Sequence, residues 1–398
     1  MTAPYFVRQA TWRLKLTLAK VLIGDKDNSP HFAFAGPASS ERLCNRIAEA
    51  GHTRLLIVTD KPLRDLGIVD KALVGFGQHR VELAWYDGVI PDPGFTQVQE
   101  GAEVYRVNQC TAILAVGGGS SIDAAKVIAL AVANAGNPKD WVGMNKAPDT
   151  GAPVFAMPTT AGTGSEATMG AVITDEADHS KNIIAGPALL PTAVALDPQL
   201  MQGLPAAITA ATGLDALTHG IEAFLSVWDR GSRTETALMA IKGVFRWLPV
   251  ALTEPDNIEA REGMALAAYY GGVAINQVSV GNVHAIAHQL GARYGIAHGM
   301  ANAMVLPSVL RAYGSLVEAP LSTLAQAIEL PEPTASAFIS AVEKLRDDSG
   351  LPAQHPAIVG SDVSGLVDAA LSEGDGYFSP RLFTPEEFRH IIEPLIVA

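Results

Sequence analysis

An α/β half built on a parallel, Rossmann-like sheet, followed by an all-helical half, is the architecture this sequence predicts. Three observations carry it. Short β-branched runs alternate with helix-like segments from about residue 31 to 205. Those runs are apolar throughout, the pattern of strands covered by helices on both faces. After Leu196–Pro205 strand-like runs nearly vanish, and long helical patterns fill the chain, with Pro249, Pro255 and Pro307 marking the turns between them. The expected division is an amphipathic N-terminal arm over 1–30, an α/β domain over 31–205 and a helical domain over 206–398. A cleft is expected between the last two.

The elements follow in order. The first 24 residues contain no Asp or Glu but carry Arg8, Arg13, Lys15 and Lys20, with Leu14, Leu18, Val21 and Leu22 on one helical face. An arm packed on the body fits this pattern better than an organellar targeting segment. "RLLIVTD" (Arg54–Asp60) is a strand, and "TAILAVGGG" (Thr111–Gly119) another that opens into a helix. "APVFAMPTT" (Ala152–Thr160) is a third, Gly170–Gly186 a hairpin turning at Asp175–Ser180, and "TAVALDP" (Thr192–Pro198) a further strand.

Composition narrows the class. With 48% hydrophobic and 17% charged residues the chain can build a large core, yet no run of eighteen uncharged apolar residues marks a membrane span. A formal charge of −13 disfavours nucleic acid or an anionic membrane as partner. The two cysteines, Cys44 and Cys110, read as buried thiols, which suits a reducing, cytoplasmic setting.

"GGGSSID" follows a buried strand and opens a helix. Its glycines let backbone approach a ligand, Ser120 or Ser121 can cap the helix, and the first-turn amides favour a pyrophosphate. Gly117 and Gly119 fit the start of the dinucleotide fingerprint, but Ile122 stands where a third glycine is usual. A ribose-binding carboxylate is expected at a strand end. Asp60 has that context, whereas Asp140 has the spacing but lies in a loop. Asp60 would repel a 2′-phosphate and so favours NAD(H) over NADP(H). "PTTAGTGSE" (Pro158–Glu166) offers hydroxyls and bare amides to a second face of the same ligand.

Three histidines, His284, His288 and His298, fall within fifteen positions, and Asp215-x-x-x-His219 lies in the same helical half. Spacing alone pairs Asp215 with His219 and His284 with His288, each i,i+4, and leaves His298 over. A nitrogen-and-oxygen donor set suits Fe²⁺ or Zn²⁺ better than Ca²⁺ or Mg²⁺.

"GGGSSIDAAK", "PTTAGTGSE", "TAATGLDALTHGIEAF" and "VHAIAHQLGARYGIAHGMANA", in that order, resemble the iron-containing (group III) alcohol dehydrogenases of the dehydroquinate-synthase-like superfamily. The likeness runs from about Phe32 to Pro394. It implies an NAD(H)-linked alcohol dehydrogenase or aldehyde reductase. In such an enzyme a divalent metal polarises the alcohol or carbonyl oxygen, and hydride passes to or from nicotinamide C4. It implies Asp215, His219, His284 and His298 as metal ligands, with His288 unligated beside the nicotinamide; an unligated imidazole one turn from His284 is the candidate to relay the hydroxyl proton. The likeness places Asp60, Gly118, Gly119, Ser120, Asp123, Thr159, Thr160, Thr163 and Lys181 at the dinucleotide. A homodimer or larger oligomer is expected on the same ground. Asp92, Gln289 and Ala297 depart from the usual Asn, Pro and Pro, and the last two bear on how His298 is placed.

A polyol dehydrogenase using zinc is the near alternative. A dehydroquinate-synthase-like lyase would want clustered basic residues, but only Arg293 is basic around the metal motifs. A non-catalytic binding protein would hold both ligands without net NADH change. Small, uncharged residues over Met264–Val280 favour a small neutral alcohol or aldehyde.

Overall fold

The computed structural model describes residues 4–23, 32–144, 146–177, 180–229 and 231–397. Its contacts divide the chain into two compact units. One comprises Ser29–Leu204 with Glu254–Gly272, and the other Met1–Asn28, Pro205–Thr253 and Val273–Ala398.

Among the described residues the first unit is built on nine strands: β1 Phe32–Ala35, β2 Arg54–Val58, β3 Glu82–Tyr86, β4 Ala112–Gly117, β5 Gly143–Met144, β6 Val154–Pro158, β7 Gly170–Thr174, β8 Lys181–Ala185 and β9 Ala193–Leu196. Six of them form a sheet in the order β1-β9-β6-β4-β2-β3, every pairing parallel. The central β4 and β6 are buried along their whole length, as their apolar runs require. β1 and β3, absent from the sequence expectation, are the two edge strands. They are partly exposed, and FAFA and ELAWY contain no β-branched residue, so the signal that finds the central strands is missing. β7 and β8 pair antiparallel with Thr174 opposite Lys181, and β5 joins β8, giving a small second sheet. The expected hairpin is thus present, although residues 178–179 of its turn lie outside the described residues.

Glu254–Gly272, expected in the helical domain, groups instead with this unit. Arg261, buried, donates to the carbonyl of Pro255 and lies 3.5 Å from that of Leu204. A Cβ on Gly272 would stand 2.5 Å from the carbonyl oxygen of Gly164, itself at φ +61. This backbone-to-backbone approach requires glycine at both positions.

The second unit is helical. Pro249 and Pro307 do not mark turns in it. Each lies inside a helix, Arg233–Thr253 and His298–Tyr313; Pro307 is buried, whereas Pro249 is exposed on a helix held down by the buried Leu248 and Ala251. Arg233–Thr253 is, among the described residues, the one helix long and apolar enough by composition to span a bilayer. Its Ala237, Ala240, Ile241, Val244 and Leu248 are fully buried within the unit. The N-terminal helix Tyr5–Ile23 docks through Arg8, Trp12 and Leu16 rather than through the expected leucine face. Leu14 and Leu18 are exposed, and the side chains of Val21 and Leu22 lie outside the described residues.

A buried polar knot ties the sheet unit together behind its loops. Lys126, fully buried, donates to Ser165 Oγ, Thr168 O and Gly170 O at 3.1, 2.9 and 2.8 Å. Asp123 accepts from Ser165 Oγ and from the Val172 amide. Burial pushes the Lys126 amine down to about 8, against the pull of Asp123 and Glu166. It pushes the neighbouring Glu166 carboxyl up to about 7, against its own amide and Lys126. The folded state therefore holds the Glu166 proton more tightly than the unfolded chain does, so stability attributable to this group falls as pH rises from the unfolded value through about 7. Glu166→Gln should gain stability relative to the parent between pH 5 and pH 8, as measured by chemical denaturation across that range. A gap between the two proteins that does not change with pH would assign Glu166 an unshifted carboxylate.

Candidate functional site

Two groups of candidate residues were expected, one in each unit. In the helical unit, the Ala206–Leu225 helix carries Asp215 and His219, the Asn282–Tyr294 helix carries His284 and His288, and the His298–Tyr313 helix begins at His298. One ligand atom from each of Asp215, His219, His284 and His298 lies within 4.8 Å of all the others. Asp215 Oδ1 stands 3.6 Å from His219 Nε2, 3.7 Å from His284 Nε2 and 3.4 Å from His298 Nε2. Donors on a tetrahedron around an ion with bonds of about 2.1 Å are about 3.4 Å apart, so the spacing fits one small transition ion.

The electrostatics agree. Burial alone would raise the Asp215 carboxyl, but the three surrounding histidines hold it far below the ordinary carboxylate range. Burial would lower the His284 imidazole, yet Glu222 and Asp215 raise it to about 9. The pocket thus favours positive charge where the four donors meet.

The pairing that spacing favoured, His284 with His288, is not the one the structure assembles. The chain leaves the Asn282–Tyr294 helix at Gly295, in the left-handed region at φ 66, and turns back to start the next helix at His298. Gln289 and Ala297 therefore do not keep His298 from the cluster. His288 is drawn aside, its Nδ1 lying 2.5 Å from Glu373 Oε1. Its ring stacks on that of His298 with centroids 5.2 Å apart.

Three supporting residues escaped the sequence reading. Glu222 follows Asp215 by seven and His219 by three, on the same helical face, a spacing that could have revealed it. Its carboxylate accepts from the amides of Gly281 and Val283, both at 2.7 Å, and meets His284 Nδ1 at 2.6 Å. That bond fixes the tautomer that presents Nε2 to the other donors. Gly281 leaves the space, since a Cβ there would stand 2.7 Å from Glu222 Oε1. Asn302, one turn beyond His298, donates from Nδ2 to Asp215 Oδ1 at 2.7 Å. Glu373 lies 85 positions from His288, and nothing local announces it. Gly299 lets two helices meet: a Cβ there would stand 2.0 Å from the Ala211 carbonyl oxygen and 3.2 Å from Asp215 Cβ.

In the sheet unit the dinucleotide candidates gather at the carboxyl ends of three adjacent strands. Asp60 follows β2, Gly118–Ser120 follow β4, and Thr159–Thr163 follow β6. The carboxyl ends of such strands are where parallel sheets bind ligands. The Gly119–Ala133 helix has Gly118 at its N-cap, with no side-chain cap, so the expected Ser120 or Ser121 cap is not made. Both serines lie inside the first turn, which leaves amides at the helix start for an anion. A Cβ on Gly119 would stand 2.7 Å from Thr163 Oγ1, so the two loops fit against each other only through that glycine. Thr159 is buried, and Thr160 and Thr163 are partly exposed. Asp60 Oδ1 caps the short Lys61–Asp65 helix through the Leu63 amide, and burial raises its carboxyl above the ordinary value. Asp123 is taken up by Ser165 and Val172. Lys181 pairs at 2.8 Å with Asp92, which sits in the left-handed region at φ 56.

Comparison with known proteins was made against this geometry. Residues 30–198 match the family described as iron-containing alcohol dehydrogenase, and residues 209–396 the Fe-containing alcohol dehydrogenase family, C-terminal. A 1,3-propanediol dehydrogenase of Klebsiella pneumoniae is 37% identical over 376 residues, covering 91% of this chain and 96% of its own. An NAD-dependent methanol dehydrogenase of Bacillus methanolicus is 34% identical over 375 residues, 92% of this chain and 98% of that one. The crystal structure of a 1,3-propanediol oxidoreductase matches with a TM-score of 0.89 at 35% identity, over 93% of this chain and 99% of that one.

Replacing Glu222 by Gln should leave the fold intact and weaken metal affinity about 10- to 100-fold, because the carboxylate no longer orients and polarises His284. Chelator competition measures this directly. Affinity within twofold of the parent would mean that His284 is oriented without Glu222.

Proposed function

We infer that this chain, which belongs to the iron-containing alcohol dehydrogenase family, works as an NAD-dependent alcohol dehydrogenase and aldehyde reductase. We propose that its substrates are small, neutral alcohols and aldehydes, and that its ion is Fe²⁺ or Zn²⁺ held by Asp215, His219, His284 and His298. The convergence of those four side chains from three helices is the observation that carries the reading. A polyol substrate is the second reading, favoured by the propanediol relatives.

When bound, the cation supplies a Lewis acid for the alcohol or carbonyl oxygen, and the dinucleotide supplies the hydride acceptor or donor. The chain's own residues do the rest. Asp215 supplies the negative charge that balances the cation, Asn302 steadies that carboxylate, and Glu222 aims His284. Gly118, Gly119 and Ser120 receive the pyrophosphate on bare amides. Thr159, Thr160 and Thr163 face it from the next strand, with Lys181 beside Asp92 and Asp123 bracing the loop from behind. Asp60 accepts from the ribose hydroxyls. His288, its Nδ1 bonded to Glu373, has Nε2 left to take the hydroxyl proton at that nitrogen, and Glu373 stabilises the imidazolium that results. The active form is an oligomer of this chain, as the resemblance implies.

Metal analysis of anaerobically purified protein, with a panel of ethanol, propanediols, glycerol and their aldehydes, tests the reading. One equivalent of iron or zinc and net NADH change with a short alcohol are expected. Turnover should vanish on chelation while NADH binding persists. Full turnover after the ion has been stripped would overturn the assignment. Asp60→Gly should lower discrimination against NADP(H) at least 10-fold in kcat/KM. An unchanged ratio would remove Asp60 from the ribose site.

A further inference from the structure

The helix Tyr5–Ile23 lies outside both family matches, which begin at residues 30 and 209. It nonetheless buries an arginine. Arg8 is 8% exposed, and its guanidinium forks onto Asp375, with Nε and Nη2 donating at 2.7 and 2.5 Å, while Nη2 also reaches the Phe383 carbonyl at 3.2 Å. One turn on, Trp12 Nε1 donates to the Tyr377 carbonyl at 2.7 Å. Another turn on, Leu16 packs against the cluster of Ala223, Trp228, Ala237, Ala274 and Val278, on which Phe378 also packs. Residues 8, 12 and 16 share a face, so one helix grips residues 375–383 through Arg8 and Trp12 and packs Leu16 on the cluster that Phe378 also covers.

That segment holds up His288. Asp375 is the C-cap of the Val363–Gly374 helix and stands two residues after Glu373. Glu373 accepts from Tyr377 OH at 2.5 Å and from Gln289 Nε2 at 2.6 Å, and meets His288 Nδ1 at 2.5 Å. The turn whose backbone Trp12 clamps is therefore the turn whose tyrosine hydroxyl locks the carboxylate. Asp375 makes its fork with Arg8, and a bidentate guanidinium–carboxylate pair fixes direction as well as distance.

We propose that Arg8 and Trp12 are positioning residues for His288. The N-terminal helix straps down residues 375–383 and thereby fixes Glu373 and Tyr377, and through them the imidazole. The inference rests on the reading of His288 as the residue that carries the hydroxyl proton. Its structural half, the strap itself, does not.

The test uses full-length Arg8→Met, Arg8→Lys, Asp375→Asn and the Arg8→Met/Asp375→Asn pair, with His288→Ala alongside. Amide hydrogen exchange should rise at least 10-fold over residues 373–383 in Arg8→Met and Asp375→Asn. The double variant should be no worse than either single one, because both break the same fork. Arg8→Lys, which keeps the charge and loses the fork, should fall between. kcat should drop at least 5-fold with the KM for NAD and the metal content within twofold of the parent. Unchanged exchange over 373–383 overturns the strap. Raised exchange with parental kcat overturns its link to catalysis. Loss of metal in step with kcat also overturns it, by making the helix a general brace. If His288→Ala keeps parental kcat, the proton-carrying role fails independently, and the exchange data still decide whether the strap exists.

Discussion

The helical unit is organised around one buried carboxylate. Asp215 is 2% exposed, and a bare carboxylate in such a place is strongly unfavourable unless charge and hydrogen bonds surround it. Three imidazole nitrogens and the amide of Asn302 do surround it, from three different helices. The surrounding residues follow from that demand. Glu222 turns His284 to face the carboxylate, and Glu373 holds His288 clear of it. The residues between Asp215 and Glu222 on the Ala206–Leu225 helix are buried and, Thr218 and His219 aside, small or apolar, so little else in that core can satisfy the charge.

The sheet unit meets a different constraint, that of keeping bare backbone at three neighbouring strand ends without loss of shape. Lys126 does this from beneath. Its amine is shared among acceptors of the Ser165–Gly170 stretch, and Asp123 on the same helix receives Ser165 and Val172. Gly119 and Thr163 then fit edge to edge. Neither loop owes its form to its own residues alone.

How much of this was legible in the sequence depended on range. The central strands were, because burial on both faces leaves unbroken apolar runs. The edge strands β1 and β3 were not, because FAFA and ELAWY are short, partly exposed and without a β-branched residue. Pro249 and Pro307 misled, since tertiary packing outweighed a local helix-breaking preference. The Asp215/His219 pair was readable from helical spacing, but the choice between His288 and His298 was not. A turn at Gly295 and a carboxylate at Glu373 decide it, and neither acts through i,i+4 geometry. Resemblance supplied what spacing could not. Glu222 lay in plain view at i+7, whereas Glu373 and the Arg8–Asp375 fork join residues hundreds of positions or a domain's length apart.

Gly299 sets how closely two helices can approach beside Asp215. Where it touches the Ala211 carbonyl there is no side chain to compress or swing aside, only peptide against peptide. The separation of the Ala206–Leu225 and His298–Tyr313 helices beside Asp215 is therefore set by main-chain contact, which yields far less than a packed methyl group does.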